Sequence, residues 1–149
     1  MTSDASKPAG PPLPPYILDE QVGFILRQVN QRHTTIFATH IAEDLTPTQW
    51  AALSKLYEVG PQSQNLLGRL TAMDAATIKG VVDRLTKRGL TEGQPDPEDG
   101  RRLVIALTAE GEVLVRRCLP RAAAITAETL EGLTAEERKT LLALLKKMQ

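Results

Sequence analysis

The segment from Asp74 to Arg88 constrains the fold of this chain more than any other. At about 100° per residue, Ile78, Val81, Val82 and Leu85 fall on one narrow face of a helix, which must be buried against other elements. On the opposite side stand Ala76, Gly80, Asp83 and Lys87, flanked by Thr77, Lys79 and Arg84. The middle of that outward face is small, so another molecule can approach the backbone closely. Its edges carry cations: between positions 79 and 88 the basic residues Lys79, Arg84, Lys87 and Arg88 face the single acid Asp83. A helix lying in a DNA major groove needs both properties, close approach to base edges and cations for phosphate or guanine. A solvated helix surface has the same appearance, so what precedes it decides. Ser63 can cap a short helix carrying Leu66, Leu67 and Leu70, and a tight turn at Met73-Asp74 joins it to the next, which is the helix-turn-helix arrangement. Gly80, inside a helix, costs about 1 kcal/mol relative to alanine, and close approach by a partner is a compensation. Gly68 instead lets the two helices pack closely.

Elements on either side follow from period and punctuation. Residues 1–15 hold five prolines and cannot bury enough surface to offset their ordering entropy, so they read as a disordered tail. From Tyr16 to about Ala42, the residues Val22, Ile25, Leu26, Val29, Ile36 and Phe37 recur at helical spacing. Thr46-Pro47-Thr48-Gln49 supplies an N-cap, a proline at the first helical position and a glutamine at the third. That helix runs through Trp50, Leu53, Leu56 and Tyr57 and stops at Gly60-Pro61. Asp74 caps the outward-facing helix, which ends at Gly89. Thr91 to Gln94 and Leu103 to Leu107 then form a hairpin around a polar, turn-rich stretch. Thr108 starts a helix through Val113, Leu114 and Cys118, and Pro120 is expected to kink or break it near Leu119. Thr134 to Glu137 is a capping box opening a last helix with Leu141, Leu142, Leu144 and Leu145.

The expected fold is mainly α with a small β-hairpin wing: a winged helix-turn-helix domain plus a helical dimerisation region. Residues 16–149 form one domain, with dimerisation helices over 16–43 and 109–149 and the DNA-binding part over 46–108. No apolar run approaches the roughly 20 residues of a membrane helix, so no membrane partner is expected. The N-terminus lacks a signal peptide's basic start and apolar stretch, which points to a cytoplasmic protein. Eighteen basic residues balance eighteen acidic ones, so only a local cluster of positive charge can argue for nucleic acid. One cysteine, Cys118, excludes an internal disulfide and a cysteine-built zinc site.

Four stretches in this order resemble the MarR family of winged-helix regulators: Leu45-Thr46-Pro47-Thr48-Gln49-Trp50; Asp83-Arg84-Leu85-Thr86-Lys87-Arg88-Gly89-Leu90; Pro95-Asp96-Pro97-Glu98-Asp99-Gly100-Arg101; and Leu107-Thr108-Ala109-Glu110-Gly111. The match in order and spacing spans about residues 16–148. The resemblance implies a homodimer with interleaved terminal helices that binds a pseudo-palindromic double-stranded DNA operator. Recognition helices would lie in successive major grooves, with the wings near the minor groove. It implies that Asp99 orients Arg101 and that Arg101 enters the minor groove. The DNA-contact set expected in this chain is Ser63, Ala76, Thr77, Lys79, Gly80, Arg84, Lys87, Asp99, Arg101 and Arg102. Many relatives carry arginine where this chain has Gly100, and basic residues in place of Gly93 and Gln94; Arg102 restores part of that charge. The wing is therefore less positive, which lowers the expected non-specific affinity.

His33 and His40 lie on the first helix's apolar stripe with Leu26 and Phe37. Two readings compete for them: satisfied core residues, or part of an effector pocket in which imidazole meets an anionic group. The effector reading comprises Arg27, Arg32, His33, Phe37, His40 and Trp50, with the two arginines offering forks to a carboxylate or phosphate. By family analogy the effector is a small aromatic acid or its CoA thioester, releasing a repressor from DNA. His40 and Glu43 make half a metal site, and Cys118 beside Arg116 and Arg117 is either a redox-sensing thiol or a buried inert one. No catalytic motif, cofactor or bound metal is expected. Two rival functions remain: a winged-helix protein-interaction module without DNA binding, and a metal- or redox-sensing regulator.

Overall fold

The structure, a computed structural model, describes residues 10–41 and 44–149. The chain divides into a unit over residues 1–31 and a larger one over residues 32–149. The disordered tail expected over residues 1–15 lies outside the described residues as far as position 9; residues 10–15 are exposed and without helix or strand.

In the first unit the expected helix from Tyr16 begins later. Leu18–Glu20 form a single 3-10 turn, Gln21 is extended, and helix α1 spans Val22–His40. The cause is local. The Gln21 side-chain amide donates to the Ile17 carbonyl at 2.9 Å, and its backbone N–H donates to the Leu18 carbonyl at 2.9 Å. These bonds satisfy the backbone in a turn that a continuous helix would have to break.

The larger unit holds the rest of α1, then α2 (Pro47–Val59), α3 (Gln64–Leu70), α4 (Ala75–Lys87), β1 (Thr91–Pro95), β2 (Leu103–Leu107), α5 (Ala109–Thr129) and α6 (Ala135–Lys147). The caps expected at Thr46, Ser63, Asp74, Thr108 and Thr134 all form, with capping boxes at Thr46 and Thr134. The buried face of α4, Ile78, Val81, Val82 and Leu85, joins Leu53 and Leu56 of α2, Leu67 of α3 and Leu114, Val115 and Cys118 of α5 in one core. Full burial of each such leucine contributes about 1.5–3 kcal/mol. Ile36, expected on a dimerisation surface, belongs instead to this core at 7% exposure, because Phe37 and Ile41 pull the last turns of α1 against it.

Pro120 lies inside α5 and does not end it; the helix continues to Thr129. A proline in a helix interior costs about 3 kcal/mol. Burial of Leu114, Val115, Cys118 and Ile125 on either side of it holds the helix together. The antiparallel hairpin pairs Thr91 with Leu107 and Pro95 with Leu103. Gln62, in the link between α2 and α3, exchanges backbone hydrogen bonds with Ile105 at 3.1 and 2.7 Å and so ties the wing to the helix-turn-helix.

Helix α4 ends in a Schellman motif: Leu90 N–H reaches the Leu85 carbonyl and Gly89 N–H the Thr86 carbonyl, both at 3.0 Å, with Gly89 at φ +77°. The Leu90 carbonyl then accepts from Thr108 N–H at 3.1 Å, while the Thr108 hydroxyl donates to the Gly89 carbonyl at 2.6 Å and accepts from Gly111 N–H at 3.0 Å. The end of α4 and the start of α5 are thus held together across the base of the wing. A Cβ on residue 111 would run into the Leu90 carbonyl oxygen, so only glycine fits. Gly111→Ala is expected to lower stability by about 1–3 kcal/mol, the usual cost of overpacking, measured by thermal or urea unfolding. A melting temperature equal to wild type would contradict the packing described.

Candidate nucleic-acid interface and effector cleft

The turn between α3 and α4 is built by a second Schellman motif. Met73 N–H donates to the Gly68 carbonyl at 2.8 Å and Ala72 N–H to the Arg69 carbonyl at 3.3 Å, with Ala72 in the left-handed region at φ +56°. Gly68 packs as expected: a Cβ there would lie 3.1 Å from the Ile78 side chain and 3.2 Å from the Met73 carbonyl. Asp74 Oδ1 accepts from Thr77 N–H at 2.7 Å, and this hydrogen bond holds the carboxyl below its ordinary range. The charged cap therefore persists above the ordinary aspartate pKa and is lost only as pH falls through the lowered one.

Ala76, Thr77, Lys79, Arg84 and Lys87 are exposed on α4, and Gly80 is half-buried among them. A Cβ at Gly80 would meet only the Arg84 guanidinium, at 3.7 Å, an ordinary contact. Nothing within the described chain requires glycine there, and the surface around it is open. A pairing not expected from composition appears on this face: Lys79 Nζ donates to Asp83 Oδ2 at 2.8 Å, which raises the lysine pKa. Ser63 accepts from Leu66 N–H at 3.2 Å and lines a groove of about 460 Å³ between the start of α3 and the wing, with Asp96 and Arg102 on the other wall.

At the wing tip, Arg102 N–H donates to the Asp99 carbonyl and Asp96 N–H to the Arg102 carbonyl, both at 2.9 Å. Asp99, expected to orient Arg101, accepts from the Arg101 backbone N–H at 3.1 Å through Oδ1, while Oδ2 stands 3.9 Å from Nε of Arg102. The carboxylate shapes the turn and leaves the Arg101 guanidinium exposed beyond it.

A cleft of about 210 Å³ is lined by His33, Phe37, Pro47, Trp50, Ala122, Ile125 and Thr126. Three of the residues expected in an effector pocket, His33, Phe37 and Trp50, therefore meet. Arg32 and His40 do not line it, because α5 engages both. The Arg32 guanidinium donates to the last carbonyls of α5, Thr129 at 2.8 Å and Glu128 at 2.9 Å, and to the Glu131 carboxylate at 3.3 Å. His40 Nε2 bonds the Glu128 carboxylate at 2.5 Å, and His33 Nδ1 bonds the Thr129 hydroxyl at 2.9 Å. Arg27 falls in the first unit. Glu43, the other half of the expected metal pair, lies outside the described residues, and no cluster of three metal-ligating side chains occurs among the described ones. Cys118 is fully buried in the core. Ala122 and Thr126 went unforeseen; their spacing of four on one face of α5 was the available signal.

A helix-turn-helix whose recognition helix is backed by a core and flanked by a wing defines a winged-helix DNA-binding regulator. A MarR family profile matches residues 45–103. The HTH-type transcriptional repressor NicR of Pseudomonas putida is 41% identical over 149 residues, 98% of this chain and 94% of that protein. The solved structure of a probable transcriptional regulator from Pseudomonas aeruginosa superposes with a TM-score of 0.85 at 53% identity, covering 89% of this chain and all of that one. BpsR of Bordetella bronchiseptica, whose DNA binding is regulated by 6-hydroxynicotinic acid, gives a TM-score of 0.85 at 40% identity over 91% of this chain and 97% of its own. The chain belongs to the MarR family of transcriptional regulators.

Lys87→Ala should weaken binding to all duplex sequences about equally and flatten the slope of log affinity against log salt by about one unit. Arg101→Ala should weaken binding to the preferred duplex by about 1–3 kcal/mol while leaving the melting temperature unchanged. Fluorescence anisotropy across a salt series measures both, and wild-type slope and affinity would remove these residues from the interface.

Proposed function

We propose that this chain is a homodimeric, cytoplasmic repressor that leaves a pseudo-palindromic operator when a single-ring aromatic carboxylic acid binds the cleft at His33. The observation that carries the reading is the meeting of His33, Phe37 and Trp50 in one cleft of about 210 Å³. Phe37, Trp50 and Ile125 supply flat and aliphatic walls for a ring, while Thr126 and His33 supply polar atoms for its substituents. With Nδ1 engaged by Thr129, Nε2 is the histidine atom left for a carboxylate or ring hydroxyl. Similarity to NicR and BpsR supports a hydroxylated pyridine carboxylate as the ligand class. The small volume favours the free acid over its CoA thioester.

The dimer reading rests on apolar surface left open in each unit. Val22, Ile25, Leu26 and Val29 are 43–63% exposed in the first, and Leu142, Leu144 and Leu145 are 37–51% exposed in the second. Such faces call for a second copy. Two half-sites about one helical turn apart tolerate little change in recognition-helix spacing, so a ligand that binds the released form better than the DNA-bound form empties the operator. No described helix is long and apolar enough to cross a membrane.

Adding 6-hydroxynicotinic acid should release wild-type protein from its duplex. Ala122→Leu, which fills the cleft, and His33→Ala should both keep DNA affinity and lose most of that response, followed by anisotropy with melting temperatures in parallel. A destabilised His33→Ala protein that still responds fully would make His33 a packing residue. Sedimentation at micromolar concentration should give a dimer, and a stable monomer would contradict the arrangement.

A further inference from the structure

We propose that Asp83 is a specificity-determining residue of the recognition helix, its carboxylate opposing binding to phosphates in general and being satisfied only where a base donates to it. The inference rests on the DNA-binding reading above and extends it to base selection. Asp83 stands near the middle of the outward face of α4, 61% exposed at its side chain, in a position that faces the groove whenever Ile78, Val81, Val82 and Leu85 face the core. A carboxylate there brings negative charge toward the DNA backbone, which by itself weakens association. Two features show how the surface is arranged around that charge. Lys79, one turn earlier, donates to Oδ2 at 2.8 Å, so part of its charge is offset by the carboxylate beside it. Oδ1 takes no partner among the described residues, on a side chain that is largely exposed.

In the major groove the donor suited to a carboxylate is the exocyclic amino group of cytosine, with adenine's as the other amino donor. At a matching pair, Oδ1 accepts from the base amino group, and Lys79, fixed beside it, is placed to donate to an acceptor on a neighbouring guanine. At a non-matching pair the carboxylate loses water at Oδ1 with no base donor to replace it, and only Lys79 at Oδ2 remains to offset its charge. Asp83 with Lys79 thereby raises the ratio of specific to non-specific affinity more than it raises affinity. The weakly charged wing, with Gly93, Gln94 and Gly100, fits the same economy of non-specific attraction.

The test uses the full-length protein and two duplexes: one enriched from a random library by the wild type, and a scrambled duplex of the same composition. Asp83→Asn keeps the shape and removes the charge. It should bind the scrambled duplex about tenfold tighter, gain less on the enriched one, and on re-selection lose preference at one base pair in each half-site. Asp83→Ala should show the same loss of preference. Equal tightening on both duplexes, or an unchanged selected sequence, would overturn the proposal, as would equal weakening on both with an unchanged melting temperature. Failure of the wild type to enrich any duplex would instead overturn the DNA-binding reading, so the two outcomes are distinguishable.

Discussion

The recognition helix, the wing and the long helix that follows it are joined at one backbone atom, the Leu90 carbonyl oxygen. It accepts from Thr108 N–H at 3.1 Å, and it leaves no room for a side chain at Gly111. Because the Thr108 hydroxyl both reaches the Gly89 carbonyl and caps α5, the end of α4, the feet of the hairpin and the start of α5 share one set of constraints. A hairpin of two strands has little independent stability. Here it is anchored at its base by this junction and on its flank by the Gln62–Ile105 bridge. The wing is therefore fixed to the recognition helix through its base and its flank.

From that junction α5 runs to the cleft, with Ala122, Ile125 and Thr126 on its wall, and then to a clasp of Arg32, His33 and His40 around Glu128 and Thr129. Arg32 places positive charge at the negative end of the α5 dipole, with hydrogen bonds to the Thr129 and Glu128 carbonyls. One helix thus touches the DNA-reading part at its beginning and the cleft near its end. Ile125 and Thr126, which line the cleft, belong to the same element that carries Gly111. Pro120, between the two, removes one hydrogen bond from the helix.

What was legible in the sequence was short-range. Caps at Thr46, Ser63, Asp74, Thr108 and Thr134 act over three residues, so their chemistry stands complete in a short string. The division of α4 into a buried and an outward face was equally plain, because period alone sets it. Partners brought together by folding were not legible. Arg32 looked available for an anion and instead meets carbonyls 96 and 97 residues away, and His40 meets Glu128, 88 residues away. Ile36 shared the spacing of Val22 and Val29 but falls in the core, since the stripe of α1 changes its surroundings along its length. Gln62 carried no strand signal, as one bridging residue has no period.

In physical terms, the proposed regulation requires two arrangements of the dimer, one favoured by DNA and the other by ligand. Ligand affinity alone shifts nothing; only a difference in affinity between the arrangements does. The most direct test is the distance between nitroxide labels on the exposed Ala76 of each protomer, measured by pulsed electron resonance with and without 6-hydroxynicotinic acid. A shift in that distance on adding the acid, abolished by Ala122→Leu, is the result this account predicts. DNA release with an unchanged distance distribution would contradict it.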